Sequence, residues 1–261
     1  MIRKTLSKVK EATFCIELPN KNANNMQTPA GTGFFISPDG WFVTAAHVIM
    51  DKNGSPRTDV NKAFLTKEGS GDTPGLLCKQ VTLRYVLPEL DIALFKVDFE
   101  KNLGNEWFIG KTEFPFIKIS TLPLEMGEPV YSFGYPLSTY EISKSGDMGF
   151  VKLNPRVTSA VISSDLETTG LSLSENDPKY YVLDKALNYG NSGGPIVSTK
   201  TGNVHAICSS FQPVTVKQPH LKDKLGKPMN IMIPSLYGVV SSFDNKELIN
   251  LFNSLHVTVE Q

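Results

Sequence analysis

Cysteine is scarce: Cys15, Cys78 and Cys208 are the three thiols in 261 residues, and no two stand as a CxxC pair. That excludes a disulfide framework and a thiolate zinc knuckle, and it makes reduced thiols in a cytoplasmic protein the expectation. An excess of either charge is also missing, since 26 Lys and Arg balance 26 Asp and Glu. A basic sleeve for nucleic acid is therefore not expected. Only four histidines occur, with no HExxH or related pairing, so neither a metal site nor a cofactor is expected. Apolar stretches, such as 41–43 and 231–233, are only a few residues long and fall far short of the ~20 residues of a spanning helix. The charges of Lys8, Lys10 and Glu11 interrupt the N-terminal segment before a signal-peptide core can form. No membrane partner is expected.

What is present is an ordinary globular composition, 40% hydrophobic and 20% charged. The length is about where one hydrophobic core stops growing, so one domain over 1–261 is expected. Short runs rich in β-branched and aromatic residues recur at 13–18, 33–36, 41–44, 81–86, 92–97, 130–133, 157–162, 181–183, 196–198 and 204–211. Clusters of Gly, Pro, Asn and Asp separate them, which is the pattern of a barrel or sandwich of short antiparallel strands. Two helices are predicted. One is a short N-terminal segment carrying Ile2, Leu6 and Val9. The other is DNKELINLFNSL, where Asp244 and Glu247 read as a capping pair and Leu248, Leu251, Phe252 and Leu255 as one apolar face. Two polar segments, 138–155 and 212–230, exceed the usual loop length and read as candidate gates over a site.

Three strings carry chemistry: FVTAAHVI around His47, LDIALFKV around Asp91 and YGNSGGPIV around Ser192. A serine hydroxyl is a poor nucleophile at neutral pH, so it needs a base within hydrogen-bond reach and a third group to orient that base. His47 has the chemistry of the base and Asp91 that of the orienter. A tetrahedral intermediate also needs N–H donors aimed at its oxyanion. The Gly190–Asn191–Ser192 backbone can supply them, because Gly190 and Gly193 permit a tight turn on which the amides of Gly190 and Ser192 converge.

These strings resemble those of the chymotrypsin-fold serine peptidases, most closely the HtrA/Deg type. The likeness runs from Gly31 to Val240 and includes GTGFFI at 31–36, SFGYP at 132–136, VTSAVIS at 157–163, DKALNYGNSGGPIV at 184–197 and NIMIPS at 230–235. The resemblance implies an all-β fold of two six-stranded antiparallel barrels, at about 10–120 and 121–240, with a C-terminal helix at about 244–255. The site would lie in the cleft between the barrels, with His47 and Asp91 from the first and Ser192 from the second. It implies a serine endopeptidase with a polypeptide substrate that pairs with the strand around Cys208, Ser209 and Ser210. Asn191 stands where the digestive enzymes have an Asp that pairs with a cut N-terminus, so that mode of activation is not expected. Loop ordering by a regulatory protein or ligand would take its place. Ala186 occupies the position six before the serine, where trypsin-like enzymes carry a carboxylate. With Cys208, Ser210, Phe211 and Met232 as walls, it implies an uncharged pocket for a small or medium aliphatic side chain. The PDZ module usual in HtrA proteins is not expected here. The alternative is a catalytically silent binding or scaffold module on the same fold, although such a module has no chemical need for all three side chains.

Overall fold

The computed structural model describes residues 2–20, 26–68, 74–79, 81–98, 111–142, 149–166, 176–222, 224 and 226–261. Its first half opens with α1 (Ile2–Ala12) and continues through β1 (Thr13–Asn20), β2 (Met26–Phe35), β3 (Trp41–Ala45), the single turn α2 (Ala46–Ile49), β4 (Phe64–Glu68), β5 (Pro74–Lys79), β6 (Thr82–Leu87) and β7 (Ile92–Lys96). These strands form one antiparallel sheet in the order β5-β4-β1-β2-β3-β7-β6. The second half contains β8 (Ile119–Ser120), β9 (Pro129–Gly134), β10 (Thr139–Ile142), β11 (Gly149–Lys152), β12 (Arg156–Leu166), β13 (Tyr180–Leu183), β14 (Pro195–Ser198), β15 (Val204–Lys222), β16 (Pro228–Ser242), α3 (Lys246–Ser254) and β17 (Val259–Glu260). Here β14, β9, β12, β13, β16 and β15 follow one another around a ring that the β14–β15 ladder closes. The fold is thus the all-β double barrel expected, with one refinement. The second barrel is a closed six-stranded ring, whereas the first is a curved seven-stranded sheet in which no ladder joins β5 to β6 among the described residues.

Alternation along strands explains how the halves share a core. In β15, Ala206 and Cys208 are buried inside the ring with Ile196 and Val240, while Ile207 between them joins the cluster that contains Phe14, Phe35 and Phe42 of the first sheet, as does Val204 beyond the register shift opposite Ile196 and Val197. Successive side chains of a strand point to opposite faces, so one strand lines both cores. Phe14 meets Phe35 and Phe42 at centroid distances of 4.9 and 5.2 Å, and Phe42 stacks on Phe95 at 4.8 Å. Each such ring, fully buried, contributes roughly 1.5–3 kcal/mol from area alone, enough to hold the first sheet as a rigid platform.

Several local expectations are corrected. Helix α3 begins at Lys246, and its N-cap is Asn245, whose side chain accepts from the Leu248 N–H at 3.0 Å. Asp244 is one residue too early to cap and instead pairs with Lys179 Nζ at 2.7 Å. The segment at 138–155 holds the antiparallel pair β10–β11, with Thr139 opposite Lys152 and Ile142 opposite Gly149. The segment at 212–230 is largely the continuation of β15 and the start of β16, paired from Pro213–Pro234 to Lys222–Pro228. Its prolines disguise it as a loop. Pro213 and Pro219 lie at register shifts of that ladder, where a strand tolerates a residue without an N–H. No described helix is long and apolar enough to cross a membrane.

Candidate active site

Strand pairing brings His47 and Asp91 together. Ala45 at the end of β3 stands opposite Ile92 at the start of β7, so the residues just beyond that pair are neighbours. The Ala46 N–H donates to Asp91 O at 2.9 Å. Asp91 follows a single 3-10 turn, Pro88–Leu90, and takes up a left-handed conformation at φ 51°, a region that aspartate tolerates better than bulkier residues. That backbone turns its carboxylate back onto the histidine. Asp91 Oδ1 accepts from the His47 N–H at 2.9 Å, and the two carboxylate oxygens lie 3.0 and 2.8 Å from Nδ1. With Nδ1 engaged, Nε2 is the ring nitrogen left for other chemistry.

The second barrel grips the same segment. Ser209 Oγ on β15 donates to Asp91 Oδ2 at 2.6 Å, Ser241 Oγ on β16 to Leu90 O at 2.6 Å, and Tyr180 OH on β13 to Glu89 O at 2.7 Å. Three consecutive residues of one half are therefore held by hydroxyls of the other. Ser209 was expected only as a substrate contact. Its bond to the carboxylate spans 118 positions of sequence, and no local pattern reports it.

Ser192 sits in the turn between β13 and β14. Within that turn Asn191 N–H donates to Asn188 O at 3.0 Å, Gly194 N–H to Asn191 O at 2.8 Å and Gly193 N–H to Cys208 O at 2.7 Å, while Ser192 O accepts from Thr32 N–H at 2.8 Å. Gly190 and Gly193 have φ of 94° and 81°, which side chains disfavour. A Cβ on Gly190 would lie 2.5 Å from Tyr135 O, and one on Gly193 would overlap Thr32 O and Thr44 Oγ1. The amides of Gly190 and Ser192 have no hydrogen-bond partner among the described residues. Their directions follow from the carbonyls on the same peptide planes, because C=O and N–H of a trans peptide point opposite ways. Tyr189 O is bound to Leu137 N–H at 2.8 Å and Asn191 O to Gly194 N–H at 2.8 Å, so both free amides face away from those partners. The Asn191 N–H, expected with them, is spent inside the turn on Asn188 O.

His47, Asp91, Gly190 and Ser192 line one open cleft of about 900 Å³, together with Cys208, Ser209 and Ser210. No hydrogen bond joins His47 to Ser192 among the described residues; the two face the same space. The Cys208 thiol does not compete as a nucleophile. Burial pushes it up to about 12, with the Ser132 hydroxyl 3.3 Å from Sγ opposing the shift only in part. Ala186 is half-buried and does not line the cleft. Its neighbour Leu187 does, with its side chain buried against Gly238, where a Cβ would come within 2.7 Å of Leu187 Cγ. Phe211 and Met232 lie on β15 and β16, and their side chains are outside the described residues. Among the described residues no His, Cys, Asp and Glu group is arranged to hold a metal ion.

Residues 31–207 match the family model described as a trypsin-like peptidase domain. Among curated proteins, the chain is 30% identical over 201 residues to serine protease HTRA1B of Danio rerio, covering 76% of this chain and 34% of that protein. It is 27% identical over 201 residues to serine protease HTRA3 of Homo sapiens, covering 76% of this chain and 37% of the relative. The chain thus spans about a third of the length of the curated relatives it matches. Among solved structures, the HtrA-type protease AlgW with tripeptide superposes with a TM-score of 0.59, over 98% of this chain and 63% of that one, at 18% identity. At that identity the likeness is one of fold.

Proposed function

The chain belongs to the family of trypsin-like peptidase domains, and from that premise we propose that it is a serine endopeptidase acting on polypeptides through Ser192, His47 and Asp91. Ser192 Oγ attacks the scissile carbonyl carbon while His47 Nε2 takes its proton. Asp91 holds the Nδ1 proton in place and stabilises the imidazolium that forms. The oxyanion of the tetrahedral intermediate receives the N–H groups of Gly190 and Ser192. Collapse expels the amine, which leaves with the proton from His47, and the acyl-enzyme is then hydrolysed by a water that the neutral imidazole activates.

The observation that carries this reading is the convergence on one cleft of an imidazole bound at Nδ1 by a carboxylate, a serine, and the amides of Gly190 and Ser192, which have no partner among the described residues. Nothing in a scaffold role calls for free amides beside a serine. The Leu137–Tyr189 hydrogen bond of 2.8 Å further supports an oxyanion site that is formed at rest, since a latent form would turn the Tyr189 carbonyl inward. A regulatory partner would then act on the rate or on access. For the side chain preceding the scissile bond, Leu187 buried against Gly238 supports a shallow apolar pocket suited to a small aliphatic residue.

A fluorophosphonate probe tests the assignment. The wild-type chain is expected to form a covalent adduct on Ser192, and Ser192→Ala to form none while keeping its circular dichroism spectrum and melting temperature. Labelling of the folded alanine variant at the wild-type rate would overturn it.

A further inference from the structure

Thr32, in β2, has no part in the proton transfers above, yet both its backbone and its side chain bond to the serine turn. Its N–H donates to Ser192 O at 2.8 Å, its hydroxyl donates to Gly190 O at 2.6 Å, and the same oxygen accepts from the Tyr135 N–H at 3.1 Å. The residue is fully buried. The backbone contact could be made by any residue with an N–H. The hydroxyl contacts need one donor and one acceptor site on a single short side chain, which restricts the position to serine or threonine.

The Gly190 conformation explains why those contacts matter. A glycine at φ 94° has no side chain to bias it there, so the orientation of its N–H depends on the two peptide planes that flank it. The plane before Gly190 is held by the Leu137 N–H on Tyr189 O, at 2.8 Å. The plane after it is held by the Thr32 hydroxyl on Gly190 O, at 2.6 Å, and by Asn188 O on the Asn191 N–H, at 3.0 Å. Through its acceptor side, the Thr32 hydroxyl also ties down Tyr135, two residues before Leu137 in the segment that holds the first plane. One hydroxyl of the first sheet therefore couples both restraints on a turn of the second barrel. There is little slack around it, because a Cβ on Gly134 would lie 3.0 Å from Thr32 Oγ1 and 3.0 Å from Asn191 Oδ1.

We propose that Thr32 is a positioning residue whose hydroxyl fixes the direction of the Gly190 N–H, so that the first sheet sets the oxyanion site carried by the second barrel. The inference rests on the reading of Ser192 as the nucleophile. Thr32→Val keeps the shape and removes both hydroxyl contacts; Thr32→Ser keeps the contacts and removes a methyl. With the full chain and a fluorogenic peptide substrate, Thr32→Val is expected to lower kcat about 10- to 100-fold, up to the lower end of the ~10²–10³ loss that follows deletion of an oxyanion donor. KM should stay within about twofold, because ground-state binding does not use that donor. Thr32→Ser should stay within about threefold of wild type in kcat. Affinity for a peptide aldehyde, whose adduct carries an oxyanion, should fall in parallel with kcat. A role confined to stability would lower the melting temperature without this split. If Thr32→Val does not remain folded at the assay temperature, Thr32→Cys, a weak donor of similar reach, carries the same comparison against Thr32→Ser. A folded Thr32→Val or Thr32→Cys with kcat within about threefold of a reactive wild type would overturn the proposal alone. A wild-type chain that never reacts with the fluorophosphonate would remove its premise and the proposal with it.

Discussion

Replacing Asp91 with asparagine changes little in shape and everything in the pattern of donors and acceptors around it. In the native site every hydrogen-bond partner of the carboxylate among the described residues is a donor: the His47 N–H at 2.9 Å on Oδ1, the Ser209 hydroxyl at 2.6 Å on Oδ2, and Nδ1 between them at 3.0 and 2.8 Å. An asparagine must place its NH₂ on one side. The backbone N–H of His47 cannot reverse its polarity, so the amide oxygen takes the Oδ1 position and the NH₂ the Oδ2 position. There the Ser209 hydroxyl can rotate to accept. Nδ1 can accept as well, but only by surrendering its proton, which moves the hydrogen to Nε2. The nitrogen that should receive the Ser192 proton is then already protonated. Folding should survive, since each contact finds a new polarity, while kcat falls by about 10⁴, or ~5.5 kcal/mol of transition-state stabilisation. Acylation measured with an activated ester or a fluorophosphonate probe, beside a thermal melt, reads both quantities. Retention of more than about a tenth of the wild-type rate by folded Asp91→Asn would refute the roles assigned to His47 and Asp91.

Two further expectations concern the pocket and the core. Leu187→Ala should open the cleft floor beneath Gly238, raising kcat/KM for substrates with a bulkier aliphatic or aromatic side chain relative to alanine or valine by about 10- to 200-fold, the range for a single methylene group in an apolar pocket; an unchanged preference across a peptide library would show that Leu187 does not form that floor. Glu17 is buried, with the Thr66 hydroxyl 2.6 Å from Oε1; burial pushes its carboxyl above the usual 4.5, and the hydroxyl opposes this only in part. The folded state then holds that proton more tightly than the unfolded state, so Glu17's own contribution to stability is fully present below 4.5 and is lost as pH rises through the folded-state value. Glu17→Gln should flatten that part of the melting temperature against pH profile, and a profile identical to wild type would contradict the assignment.

Each half holds a segment of the other at the cleft. Hydroxyls of Tyr180, Ser209 and Ser241 in the second barrel hold residues 89–91 of the first half, and Thr32 in the first sheet holds the turn that carries Ser192. A relative shift of the halves by one hydrogen-bond length would loosen both sets together. Geometry of this kind must hold to within fractions of an ångström for nucleophile, base and oxyanion donors to act in concert.

The order of residues alone established much of this protein. Period-two apolar runs between turn residues gave the strand class, and His47, Asp91 and Ser192 each stood in a short string whose chemistry could be read from the side chains it contained. Glycines at 190 and 193 announced a turn that only they can make, because the positive φ they adopt is a local property of the backbone. Much of what the tertiary structure alone decided depends on residues far apart in the chain. It revealed that Ser209 supports the carboxylate 118 positions away and that Leu187 rather than Ala186 lines the cleft, packed against Gly238; nearer in sequence, it showed that Asn245 rather than Asp244 caps α3 and that the proline-bearing segment after Phe211 is a strand. Hydrogen bonds and contacts act over a few ångströms regardless of sequence separation, so partners more than a hundred positions apart leave no periodic trace, and only the packing of one barrel against the other brings them within reach.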